Sequence, residues 1–188
     1  MKRVLVLVDG FNLFHAIRDL DPSLMEIDIS ALASRLTNRK SETIYKIQYF
    51  ASLITHLNQK TIQDQENYLQ KLRGSNVEVI LGRFRPRTTV CPICGAREVK
   101  HVEKETDVNI AVAMVSHCYE QKISKILLFS ADSDMKGAIL KVKARFPNIE
   151  IRLVSTSKYL QPVHRSLGRI TDGQIRLSTK MLSGLTFK

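Results

Sequence analysis

The chain has 188 residues, 44% hydrophobic and 25% charged, a globular mix that excludes disordered, collagen-like and coiled-coil classes. Twenty-nine Lys and Arg against eighteen Asp and Glu leave a formal charge of +11 and a pI near 9.8. Such a field favours polyanionic partners, nucleic acid above all, because each neutralised phosphate releases a condensed counterion; the plain alternative is a solvated basic surface.

Met1-Lys2-Arg3 leads directly into an aliphatic run, Val4–Val8, that reads as a strand covered on both faces. The run is too short for a secretory signal or a membrane span, so a cytoplasmic protein with reduced thiols is expected. Helices are expected over Phe11–Leu20 and Ile29–Leu36, a strand over Ile44–Ala51, a helix over Thr61–Leu72 and a strand over Val77–Leu81 that Gly82 ends. Arg83 to His101 differs in kind, with four Arg, two Pro, two Cys, one Gly and little periodicity, and reads as an inserted loop or small hairpin. Beyond it come a helix at Asp107–Glu120, a strand at Lys125–Phe129, a helix at Asp134–Phe146 and a strand at Ile149–Val154. A short helix near Pro162–Leu167 and weakly patterned strands follow. From Arg152 to the end, seven basic residues face one acid, Asp172, so phosphate is expected to be gripped away from the chemistry.

Strands alternating with helices predict an α/β fold, a mostly parallel sheet with helices on both faces and ligands at the carboxyl ends of its strands. The unusual acids fall at those ends. Asp9 closes the first strand, Asp132 and Asp134 follow ILLFS, and Asp107 opens the helix after the Arg-rich stretch. Singly, each could be a turn former or a helix cap. Jointly they predict converging carboxylates, which repel one another unless cations neutralise them. Oxygen ligands select hard ions such as Mg2+ or Mn2+, which assist phosphodiester hydrolysis.

VDGFNL, EKETDVNIAVAMV and LLFSADSD, in that order and spacing, resemble the NYN domain, a branch of the PIN-like nucleases, over about residues 1–155. QENYLQKLRGSNVEVILGRF resembles the helix and strand that such proteins place before their insertion. The resemblance implies a PIN-like (Rossmann-like) three-layer sandwich, one domain over 1–188 with an insertion at about 83–103 and a basic extension at about 155–188. It implies divalent-metal hydrolysis of RNA, single-stranded or structured, with DNA not excluded. Carried onto this sequence, Asp9, Asp107 and Asp132 would hold Mg2+ or Mn2+. Asp134 would be a further ligand or orient water, Asn12 would hold a metal-bound water or orient Asp9, and Lys104 and Ser130 would touch phosphate. Ala111-Val112-Ala113 stand where many relatives have a further acid, which leaves a catalytically weak or inactive RNA-binding module as the alternative.

Cys91-Pro92-Ile93-Cys94-Gly95 has the form of a zinc knuckle, with His101 as a candidate third ligand; the other reading is a reduced dithiol in a tight turn. His56, His117 and Cys118 are less suited, Cys118 being expected in the core. Arg83, Arg85 and Arg87 alternate as on one strand face and would track a phosphate backbone, with Phe84 between them expected in the core.

Overall fold

In the computed structural model the described residues are 1–120, 123–156 and 167–187. Seven strands form one curled sheet: β1 (Lys2–Asp9), β2 (Glu42–Leu53), β3 (Glu78–Val90), β4 (Arg97–Lys104), β5 (Lys125–Phe129), β6 (Glu150–Thr156) and β7 (Gly173–Leu177). Their spatial order is β4-β3-β2-β1-β5-β6-β7, all neighbours parallel except β3 and β4. The order turns back at β1: the chain first builds outward to β4, then returns to lay β5 on the other side of β1. This is the crevice in which parallel sheets hold ligands.

Alternate side chains of β1 explain the layers. Val4, Val6 and Val8 face α1 (Gly10–Leu20), α2 (Ile29–Leu36) and α3 (Gln59–Gly74), packing with Leu13, Ile17, Leu32 and Leu72. Leu5 and Leu7 face α4 (Thr106–Tyr119) and α5 (Lys136–Arg145), packing with Ile110, Met114, Ile139 and Val142. All five β1 aliphatics are fully buried, as the unbroken apolar run requires. At the amino edge of the sheet Lys125 and Glu42 form a buried ion pair at 2.9 Å. No helix among the described residues is long and apolar enough to cross a membrane.

The expected strand end at Gly82 is not observed. β3 runs on to Val90, because its outer half leaves β2 and pairs antiparallel with β4 from Arg83↔Lys104 to Val90↔Arg97. The Cys-containing stretch is therefore a β-hairpin extending beyond the parallel sheet, and β4 returns the chain to the carboxyl edge. The helix expected from Asp134 starts later, after a 3-10 turn at Ser133–Met135. Residues 162–166 of the expected late helix lie outside the described residues, as do Lys158, Arg165 and Lys188 of the basic extension.

Two glycines test the packing. A Cβ on Gly10 would stand 2.7 Å from the Phe50 carbonyl oxygen and from the Tyr49 ring, while one on Gly137 meets nothing within 4 Å. Gly10→Ala is expected to cost about 1–3 kcal/mol through overpacking. Gly137→Ala, in an exposed helix turn, is expected to gain about 0.5–1 kcal/mol. Urea unfolding of the two variants would show opposite signs.

Candidate metal centre

Asp9 ends β1 and caps α1. Its Oδ1 accepts the Asn12 backbone N–H at 3.0 Å, and its Oδ2 accepts the Asn12 side-chain amide at 2.5 Å and the Ser130 hydroxyl at 3.1 Å. The same Ser130 oxygen accepts the Asp132 backbone N–H at 3.1 Å. Ser130 thus ties the carboxyl end of β1 to that of β5, and Asn12 holds Asp9 in one orientation. Both residues act here on Asp9.

Asp132 Oδ1 accepts the Asp134 N–H at 2.9 Å and so caps the 3-10 turn. The capping reading holds for Asp132, whereas Asp134 makes no side-chain cap to α5. Asp107 lies in the first turn of α4. Its delivery depends on Glu105, a non-glycine residue held at φ 79°, which swings the chain from β4 into the helix. Thr106 then donates its hydroxyl to Glu103 at 2.7 Å, and α4 begins with no side-chain cap.

The result is a cluster: one carboxylate oxygen each from Asp107, Asp132 and Asp134 lie within 4.8 Å of one another. Among the described residues this is the group of three such ligands close enough for one ion. Asp9 stands outside that triad as the buried member, 2% exposed. Burial pushes its carboxyl up to about 6, against the lowering effect of the Asn12 and Ser130 hydrogen bonds, with a small push from Asp107. Asp107 is also raised, by burial first and then by Asp132, Glu103 and Asp134. No Lys or Arg forms a salt bridge to these four acids among the described residues. Glu103 is the site carboxylate that sequence reading passed over. Its signal was its place four residues before Asp107, legible only once β4 is known to pass into α4 at Glu105.

The basic residues divide by strand parity. Register sets Arg83 opposite Lys104 and Arg87 opposite Lys100, so Arg83, Arg85, Arg87, Lys100 and Lys104 share one face of the hairpin, all exposed. Arg83 also pairs with Glu105 at 2.5 Å. Phe84 points to the other face and is half-buried against His56.

Cys91 and Cys94 sit at the hairpin tip, where backbone N–H groups of Cys94 and Ile93 lower the Cys91 thiol. His101 is opposite Pro86, five residues back along β3 from Cys91, which at ~3.3 Å per residue is roughly 16 Å. It stacks on His56 with ring centroids 3.9 Å apart. The three expected zinc ligands are therefore not brought together. Cys118 is in the core, its thiol pushed up to about 11 by burial, and His117 is bonded to Gln48.

A family model described as NYN domain matches residues 3–166. No curated protein matches the chain. A solved protein of unknown function from Vibrio parahaemolyticus is similar in fold, with TM-score 0.65 and 15% identity over 95% of this chain and 94% of that one.

The Asp9 titration has a definite sign. Its folded value near 6 lies above its ordinary 3.8, so the folded state holds the proton more tightly. The associated stability is fully present below about pH 4 and is lost as pH rises through 6, on the order of 2–3 kcal/mol. In chelator, the Asp9 carboxyl carbon followed by NMR is expected to titrate near 6. The stability loss between pH 4 and 7 is expected to be shallower in Asp9→Asn; a midpoint at an ordinary aspartate value would refute this.

Proposed function

The chain belongs to the NYN domain family, of the PIN-like nuclease superfamily, and we propose that it is a metal-dependent endoribonuclease working at the Asp9–Asp107–Asp132–Asp134 cluster. The observation that carries this reading is three carboxylates within 4.8 Å on a protein of net charge +11, with no salt bridge to them from a cationic side chain among the described residues. Such an arrangement is costly unless a cation completes it.

The donor set fits Mg2+ or Mn2+: all oxygen, partly exposed and at a sheet edge open to substrate. Asp107, Asp132 and Asp134 would hold the ion directly, and Asp9 from behind or through water. When bound, a divalent ion supplies polarisation of a phosphate oxygen and a more acidic water. The chain's own residues do the rest. Asn12 and Ser130 fix Asp9, whose raised affinity for a proton suits it to take one near neutral pH. The uncapped amino end of α4 turns unpaired N–H groups toward an anion. Arg83, Arg85, Arg87 and Lys104 form a cationic strip that leads along the chain to within three residues of Asp107, suited to successive phosphates. RNA is the favoured substrate from the family resemblance.

With Mg2+ or Mn2+ the purified protein is expected to cleave a mixed single-stranded RNA pool. Asp107→Asn and Asp132→Asn should each lower the rate by about 100-fold or more while folding normally. Intact RNA with wild-type protein and either metal would sink the enzyme reading, and RNA binding unchanged by these substitutions would favour a binding module. Replacing Arg85 and Arg87 together by Ala should weaken binding on every RNA alike. It should also flatten the salt dependence by roughly one unit of log–log slope per residue.

A further inference from the structure

Beside the acid cluster lies a cavity of about 530 Å³, within the usual ~300–1,000 Å³ of small-molecule sites. It opens between α1, the end of β2, α3 and the inner face of the hairpin. It shares the neighbourhood of the cluster: Gly10 on its wall follows Asp9, and Glu103 on another wall raises Asp107.

Its chemistry is selective. Phe11 and Phe14, 51% and 48% exposed, stand at its rim, and Phe84 contributes a third ring. Among the described residues the charged side chains on its walls are acids, Glu26, Asp64 and Glu103, with no Lys or Arg, so a phosphate is disfavoured in the interior. Glu26 is engaged with Lys71, and Gln65 is spent on the Ser52 carbonyl and the Ile54 N–H. Asp64, exposed on α3, and Glu103 remain; Glu103 gives its Oε1 to the Thr106 hydroxyl and has no partner for Oε2 among the described residues. Tyr49 is 6% exposed, lines the cavity and has no hydrogen-bond partner for its hydroxyl among the described residues. The hydroxyl is not sealed from the cavity space, so it is available there to donate to an occupant.

We propose that this cavity seats one unpaired guanine base of the RNA, stacked on Phe84 and read by Glu103 and Tyr49, and so sets where the chain cuts. Phe84 and Glu103 are directly paired across the hairpin, which puts ring and carboxylate side by side on the face toward the cavity. Guanine offers adjacent N1–H and N2–H donors to a carboxylate and an O6 acceptor beside them for the tyrosine hydroxyl. Adenine and cytosine offer a carboxylate one donor next to an acceptor, and uracil one donor between two acceptors. The strip of arginines on the outer face of the same hairpin keeps the phosphates outside while the base turns in.

The inference rests on the nuclease reading, and nucleoside binding without metal separates the two. In chelator, guanosine titrated by NMR should shift the amides of Gly10, Ser52 and Phe84 and bind at least about tenfold more tightly than adenosine, cytidine or uridine. Glu103→Gln should cut guanosine affinity about tenfold with little effect on the others, and Phe14→Ala, at the exposed rim, should weaken all four. Cleavage maps from wild-type protein should carry guanine at one fixed position, relaxed in Glu103→Gln. Equal affinity for the four nucleosides, or none at millimolar concentration, overturns the base pocket even if RNA is cut. Guanosine binding with RNA left whole supports the pocket and counts against the nuclease.

Discussion

The carboxyl edge of this sheet is built around a single hydrogen-bonded link, Asp9–Ser130–Asp132, between the ends of two adjacent central strands. Without it, nothing in β1 or β5 fixes how two acids at neighbouring strand ends approach, and their repulsion would drive the side chains apart. Ser130 resolves this because its hydroxyl donates to one residue and accepts from the next. Burial keeps the Asp9 carboxyl raised despite three donors. The opposite edge of the sheet treats charge in the other way, pairing Lys125 with Glu42 in a closed ion pair. One end of β5 is finished internally, and at the other carboxylates gather without a salt bridge among the described residues.

Much of this was legible in the residues because it is local. Val4–Val8 ending in Asp9 and ILLFS ending in SADSD declare buried parallel strands with acids at their tips, and the Lys125–Phe129 and Ile29–Leu36 elements form at those bounds. What escaped reading is what long-range pairing decides. Gly82 looks like a strand end, yet the strand passes through it because β4 comes back to pair beyond it. A Cβ there would press on the Lys104 carbonyl oxygen and the Ser52 and Thr106 hydroxyls, so the glycine permits close approach and does not mark a turn. His101 lies ten residues from Cys91 in sequence, a spacing that suits a knuckle in a loop but not across a ladder whose register fixes it opposite Pro86. Glu105 in the left-handed region has no signature in its residue type, since the strain is imposed by what precedes and follows it.

The hairpin also explains how a strongly basic chain can keep an acidic centre. Because side chains alternate along a strand, one ladder holds Arg83, Arg85, Arg87, Lys100 and Lys104 on its outer face while presenting Phe84 and Glu103 inward. The cations need not pair with the acid cluster: Arg83 pairs with Glu105 and Lys100 with Glu98, along the hairpin itself. A continuous basic loop could collapse onto the carboxylates and quench them. A stiff two-stranded ribbon prevents that.

Geometry of this kind ties affinity and position together. In the proposed reading, phosphate contacts on the outer face would fix register without base information, whereas the inward pocket near Asp107 would read one nucleotide. Both depend on the φ 79° turn at Glu105, which delivers Asp107 to the triad and lets the Thr106 hydroxyl hold Glu103. In the proposed reading, base recognition and ion binding would thus be joined through four consecutive residues, Glu103 to Thr106, that end where Asp107 begins. A base that pulls on Glu103 must act on the same turn that sets Asp107. In that reading, recognition of the base and readiness of the metal centre would be coupled through this short stretch of backbone and not through distant motion.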